Sequence, residues 1–216
     1  MNDNNNSRRR FLYNLGLAGL SIPLISSGSA CNDEESKQKP MQKNKDSKLG
    51  IALVGLGGYA GGQLAPALQE TEHCYLAGIV TGTPSKIPIW KEKYNIPDKN
   101  IYNYENYDSI KDNPDIDIIY VVLPNSMHAE YTIRGAQAGK HMICEKPMAL
   151  PVGDCDKMIA ACKKAGKFLS IGYRLHYESY HHEMIRPAKE KVYGDIKKMS
   201  SGFSFVAQKG IWRLDK

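Results

Sequence analysis

The residues best able to do chemistry fall in four short segments. Gly55-Leu56-Gly57-Gly58-Tyr59-Ala60 directly follows the apolar run Ile51-Ala52-Leu53-Val54. In such a turn Gly55 allows a tight bend, Gly57 lets the main chain approach a diphosphate, and Ala60 lets the next helix pack closely on the strand. The helix start then offers unpaired N–H groups and partial positive charge to phosphate oxygens. The plain alternative is a Gly-rich turn that merely tolerates positive φ; the strand before and the helix after it favour a dinucleotide. The second segment, Thr81-Gly82-Thr83-Pro84-Ser85-Lys86, sits where an Asp or Glu would hold a ribose diol. It has no carboxylate. Hydroxyls at Thr81, Thr83 and Ser85 with a cation at Lys86 suit a 2′-phosphate, so NADP is expected over NAD. A solvated lysine on a first helical turn is the alternative.

The other two segments are Leu123-Pro124-Asn125-Ser126-Met127-His128 and Glu145-Lys146-Pro147, each following an apolar run. Ligands of parallel sheets sit beyond the carboxyl ends of strands, which puts both at the reacting end of a bound nucleotide. Lys146 is the candidate acid/base, able to exchange a proton with a carbinol oxygen during hydride transfer if partial burial lowers its pKa. A surface lysine paired with Glu145 fits the spacing equally well. For His128 the alternative is a helix-start residue satisfied by backbone.

Positioning such segments requires alternating strands and helices. Strands are expected near Leu49–Val54, Tyr75–Val80, Ile116–Val122, Met142–Cys144 and Phe168–Ile171, with helices near Ala60–Gln69, Pro84–Tyr94, Ala129–Ala138 and Gly153–Ala165. The Ile/Val-rich strands belong to a sheet covered on both faces. The fold class is therefore α/β, a doubly wound parallel (Rossmann) sheet over 48–172. Residues 173–216 read as the incomplete start of an α+β second domain, with a helix near Ser179–Val192 and a strand near Ile196–Val206. That stretch is too short to close a core of its own.

The composition agrees with a globular chain: 216 residues, 42% hydrophobic and 24% charged. The formal net charge of +6 is half supplied by Arg8, Arg9 and Arg10, which argues against nucleic acid as a partner. No run of about 18 apolar residues occurs, so no transmembrane span is expected. Cys74, Cys144, Cys155 and Cys162 form no Cys-x-x-Cys pair and read as buried thiols, with no metal site. Residues 1–30 carry Arg8-Arg9-Arg10-Phe11-Leu12, a short apolar stretch and Gly28-Ser29-Ala30 before Cys31. This looks like a twin-arginine signal, which exports folded proteins to the periplasm. An uncleaved basic terminus and a lipid anchor at Cys31 are the alternatives. Residues 31–47 read as a disordered linker.

Gly55–Ala60, the Leu123–His128 loop, Glu145-Lys146-Pro147 and Gly172-Tyr173-Arg174-Leu175-His176-Tyr177 together resemble the glucose-fructose oxidoreductase/inositol dehydrogenase (Gfo/Idh/MocA) family. The likeness runs from about Lys48 to Lys216 and is greatest to the glucose-fructose oxidoreductase branch. It includes Ile101-Tyr102-Asn103-Tyr104, Ala138-Gly139-Lys140-His141 and Trp212-Arg213-Leu214. The resemblance implies an NADP-dependent oxidoreductase acting on a sugar or polyol, with Lys146 beside the nicotinamide. It also implies that Tyr104, Asn125, His128, Glu145 and Arg174 line the cofactor or substrate pocket. Members of that branch are exported with nucleotide bound, which implies a ping-pong cycle on a retained cofactor. The family's second domain forms a homo-oligomer interface; only its start is expected here, so this chain alone should bind nucleotide with little turnover. Two other functions stay open. One is an NAD-dependent glycosidase of the same superfamily, disfavoured by the missing ribose acid at Thr81. The other is a non-catalytic nucleotide-binding fragment.

Overall fold

The structure, a computed structural model, describes residues 48–204 and Val206. The expected signal segment 1–30, the expected linker 31–47 with Cys31, and Trp212-Arg213-Leu214 lie outside the described residues. Among the described residues six parallel strands form one sheet: β1 (Leu49–Val54), β2 (Cys74–Val80), β3 (Ile101–Tyr102), β4 (Ile118–Val121), β5 (His141–Cys144) and β6 (Leu169–Ile171), in the order β3-β2-β1-β4-β5-β6. That order reverses direction between β1 and β4, which opens a crevice at their carboxyl ends. β1 alternates its side chains between two apolar layers. Ala52 and Val54 join Ile119, Val121 and Met142 on one face, whereas Ile51 and Leu53 join Leu76, Ile79 and Trp90 on the other. Burial on both faces is why the strands read as continuous apolar runs.

The helices are α1 (Ala65–Glu70), α2 (Ile87–Tyr94), α3 (His128–Gln137), α4 (Val152–Lys164) and α5 (Ser179–Lys189). α1 is preceded by a π-helical turn over Ala60–Leu64, where an uninterrupted α-helix was expected. The Gly61-Gly62 pair and Pro66, which lacks an N–H, disfavour regular α bonding there. β3 escaped the sequence reading because two residues carry no periodicity. The expected strand Ile196–Val206 is not formed among the described residues. An extended segment without a neighbouring strand leaves its backbone groups to water, so the sequence pattern alone does not make a strand. Of the cysteines, Cys144 and Cys162 are buried and Cys74 and Cys155 half-buried, all as free thiols; burial pushes the Cys144 thiol up to about 12.

A buried polar network closes the opposite end of the sheet. Asn113 Nδ2 donates to Asn100 Oδ1 at 2.7 Å and to the Tyr102 hydroxyl at 2.8 Å, Asn113 Oδ1 accepts from the Asp115 N–H at 2.9 Å, and Lys140 Nζ donates to the Asn113 carbonyl at 2.8 Å. Asn113→Ala strands the buried Asn100 oxygen and is expected to lower unfolding free energy by about 1–3 kcal/mol, measured by urea denaturation. An unchanged midpoint would show that the network adds nothing.

Candidate functional site

Hydrogen bonds that continue past the strands align the candidate segments along one edge. Thr81 N–H donates to the Tyr102 carbonyl, Gly55 N–H to Val80, Val122 N–H to Val54, Glu145 N–H to Val121 and Gly172 N–H to Cys144, all at 2.8–3.0 Å. The residues that follow β1, β2, β4, β5 and β6 therefore emerge side by side at the carboxyl edge, over the switch point.

The Gly-rich loop has the form a phosphate cradle needs. Gly55 has φ +96°, and a Cβ there would lie 2.6 Å from the Val122 carbonyl oxygen. Only glycine fits without displacing β4's exit. Leu56 and Ala60 are buried, while Gly57, Gly58 and Tyr59 are exposed. Cβ atoms at Gly57 and Gly58 would meet nothing within 4 Å, so the loop leaves open space where a ligand's phosphates could contact main chain. Lys86, at the end of a 3-10 turn over Pro84–Lys86, donates through Nζ to the Leu56 carbonyl at 2.8 Å. It is half-buried, and it ties the β2 exit to the Gly-rich loop with two ammonium protons left over.

At the β2 exit Thr81 is buried, and its hydroxyl accepts the Thr83 N–H at 3.1 Å. Thr81 thus shapes the turn, while Thr83 and Ser85 are the exposed hydroxyl residues. A Cβ on Gly82 would lie 2.6 Å from the Tyr104 ring, so that ring packs directly on the turn. Arg134 braces it: Nη2 donates to the Tyr104 carbonyl at 3.2 Å, Nε donates to Asp108 at 3.0 Å, and the guanidinium lies 5.0 Å from the centroid of Tyr131, which packs edge-on against Tyr104. Burial raises the Tyr104 phenol above its ordinary range.

On the other side of the switch point His128 is buried between two loops. The ring is 1% exposed, with Nε2 2.8 Å from the Leu123 carbonyl and Nδ1 2.8 Å from the Pro147 carbonyl. His128 therefore sits between the Leu123 and Pro147 carbonyls, and its neutral ring donates its single N–H to one of them, joining the two loops. Asn125, half-buried, opens a 3-10 turn over Asn125–Met127, and Leu123 is buried. Lys146 is exposed, follows a buried Glu145, and is linked to Pro147 by a cis peptide. The two do not form a surface ion pair among the described contacts; Glu145 instead accepts the Tyr120 hydroxyl at 2.5 Å through Oε1 and the Lys146 N–H at 3.3 Å through Oε2. Burial, then the hydrogen bond to Glu145, pushes the Tyr120 phenol far above its ordinary range. The Tyr59 phenol is also raised, first by burial and then by the Glu145 charge, while the exposed Arg174 lowers it. Tyr59, Glu145 and Arg174 thus share one neighbourhood.

Tyr120 was missed by sequence reasoning because it lies inside the apolar run Ile118-Ile119-Tyr120-Val121. Its one signal was a hydroxyl in a strand otherwise made of aliphatics. Arg134 was missed because, beyond Glu130 on its own helix, its partners Tyr104 and Asp108 are distant in sequence. Among the described residues no group of three or more His, Cys, Asp or Glu is placed to bind a metal, and no helix is long and apolar enough to cross a membrane.

A glycine turn with open main chain, a cation at the second strand's exit and two charged residues after the fifth lie on one edge of a doubly wound α/β domain. Residues 49–173 match the model of the oxidoreductase family with an NAD-binding Rossmann fold, Gfo/Idh/MocA, and the chain belongs to that family. In the crystal structure of aldose-aldose oxidoreductase from Caulobacter crescentus, 67% of this chain matches 43% of that one at 51% identity, with a TM-score of 0.65. An uncharacterized oxidoreductase of Rhizobium meliloti is 30% identical over 156 residues, 72% of this chain and 46% of that protein. D-xylose 1-dehydrogenase (NADP+) of Haloarcula marismortui is 26% identical over 70% of this chain and 41% of its own length. The chain thus spans less than half the length of these relatives.

Proposed function

We propose that this chain is the nucleotide-binding part of an NADP-dependent oxidoreductase that moves hydride between the nicotinamide and a hydroxyl-bearing carbon of a sugar or polyol. The observation that carries the reading is the alignment of the Gly55–Ala60 cradle, Lys86 and Lys146 on one sheet edge, in the order of a dinucleotide's parts. Main chain at Gly57 and Gly58 takes the diphosphate, and Lys86 with Thr83 and Ser85 takes the 2′-phosphate. Tyr104, Gly82 and Thr81 frame the adenosine end, while Leu123, Asn125, Glu145 and Arg174 frame the nicotinamide end. The bound nicotinamide supplies a hydride acceptor and donor. Lys146 holds the carbinol oxygen and exchanges its proton through Nζ, while Glu145 stays fixed beside it.

The name of the aldose-aldose oxidoreductase relative supports a cycle in which one sugar is oxidised and a second reduced, which we place on one retained nucleotide, and the Arg8-Arg9-Arg10 segment supports periplasmic export of the folded, loaded protein. Such retention is demanding. Association near ~10⁶ M⁻¹s⁻¹ with a residence of about a day requires a dissociation constant of roughly 10 pM, or about −15 kcal/mol. Gentle purification should yield protein with nucleotide still bound; protein that emerges empty would end the ping-pong cycle.

The nucleotide preference is tested at Lys86. Lys86→Ala is expected to weaken NADP+ binding about tenfold through loss of a phosphate contact and to leave NAD+ within about twofold, measured by titration calorimetry. Comparable affinity of the unaltered protein for both nucleotides would defeat the NADP assignment.

A further inference from the structure

Glu145 is a buried carboxylate that the acid/base step leaves without a task. It is 8% exposed, at the exit of β5, and its position is fixed from several sides. Tyr120 Oη donates to Oε1 at 2.5 Å, and the Lys146 N–H faces Oε2 at 3.3 Å. Gly172, bonded through its N–H to the Cys144 carbonyl, closes the remaining side: a Cβ there would lie 2.7 Å from Oε1 and 3.0 Å from the Tyr120 hydroxyl. A carboxylate so held keeps one orientation. It lies on the β4-β5-β6 half of the sheet, across the switch point from Lys86 and Thr81. Each half of a doubly wound sheet takes one mononucleotide, so an adenosine at β2 leaves the nicotinamide to the half that holds Glu145.

The two redox states of that ring differ in charge, since the oxidised ring is a cation and the reduced ring is neutral. A fixed carboxylate attracts the first and not the second. Lys146 and Arg174, the cations of this neighbourhood, are exposed, so water screens their opposing charges more strongly than that of buried Glu145. We propose that Glu145, oriented by Tyr120 and by the bare face of Gly172, makes the site prefer oxidised over reduced nucleotide and so lowers the potential of the bound couple. This inference rests on the nucleotide reading above.

The test is titration of the chain, first freed of any nucleotide it retains, with NADP+ and with NADPH, repeated with NAD+ and NADH. Glu145→Gln keeps the shape and an oxygen for the Tyr120 hydroxyl but removes the charge. The ratio of the NADPH to the NADP+ dissociation constant is expected to fall about tenfold, equivalent to ~30 mV for a two-electron couple. Affinity for the reduced form is expected to stay within about twofold, because a neutral ring gains little from a charge. Tyr120→Phe keeps the charge but frees the carboxylate, so a fall of about threefold in the same ratio is expected. It serves as the second arm should the first variant fold poorly. Equal weakening of both redox forms, or an unmoved ratio, overturns the proposal. Failure of the unaltered chain to bind any of the four nucleotides refutes the nucleotide reading itself, and this inference with it.

Discussion

Replacing Gly55 by alanine is expected to destabilise the domain by about 3 kcal/mol and to weaken nucleotide binding at least about 100-fold. Two costs combine. The residue sits at φ +96°, where a side chain crowds its own backbone, and the new methyl would lie 2.6 Å from the Val122 carbonyl oxygen and 2.9 Å from Leu123 Cδ2. The nearest neighbour is backbone and has no rotamer to change. Relief requires the β1 exit to move away from β4, yet Val122 N–H is bonded to the Val54 carbonyl at 2.8 Å. Moving the exit also moves Gly57 and Gly58, and so the cradle. Gly57→Ala separates the two effects: its Cβ meets nothing within 4 Å, so stability should change by less than about 1 kcal/mol while nucleotide affinity still falls. Chemical denaturation and calorimetric titration read both quantities. A Gly55→Ala protein of undiminished stability that binds nucleotide normally would show that the turn is not a cradle.

Lys146→Met is expected to reduce hydride transfer about 10²- to 10⁴-fold in a form of the protein that turns over sugar. Nucleotide affinity should change only a few-fold and folding stability hardly at all, because Lys146 is exposed and a surface substitution of this kind typically moves stability by no more than about 0.5 kcal/mol. The expected pattern is thus a loss in kcat at nearly constant nucleotide affinity. Single-turnover measurement of nicotinamide absorbance after mixing with an aldose isolates the step. A variant that transfers hydride at the normal rate would return Lys146 to the status of a surface residue.

The central sheet was legible because its strands are buried on both faces. Leu49–Val54 reads as an unbroken apolar run, its ends are marked by Lys48 and Gly55, and the structure gives those same bounds. β3 was not legible, since two residues cannot express a period and it is held by pairing of Ile79 with Ile101 and Val80 with Tyr102. The strand expected over Ile196–Val206 failed for the complementary reason: its residues have strand character, but no pairing is present among the described residues. The candidate site divides in the same way. The glycine turn and the lysines are short-range signals, readable from neighbours in sequence. The Tyr120–Glu145 bond spans 25 positions and depends on β4 and β5 lying in register, Val121 opposite Cys144. His128 was ambiguous until the carbonyls of Leu123 and Pro147 were placed around its ring. Those partners are tertiary, and a single chain segment does not reveal them.

A crystal structure of the protein grown with NADP+ tests the whole account most directly. Expected there are a diphosphate on the Gly55–Ala60 loop, a 2′-phosphate against Lys86, and the Lys146 ammonium turned toward the nicotinamide with Glu145 beneath it. Nucleotide bound elsewhere with that crevice empty, or Lys146 directed away from the ring, would contradict it.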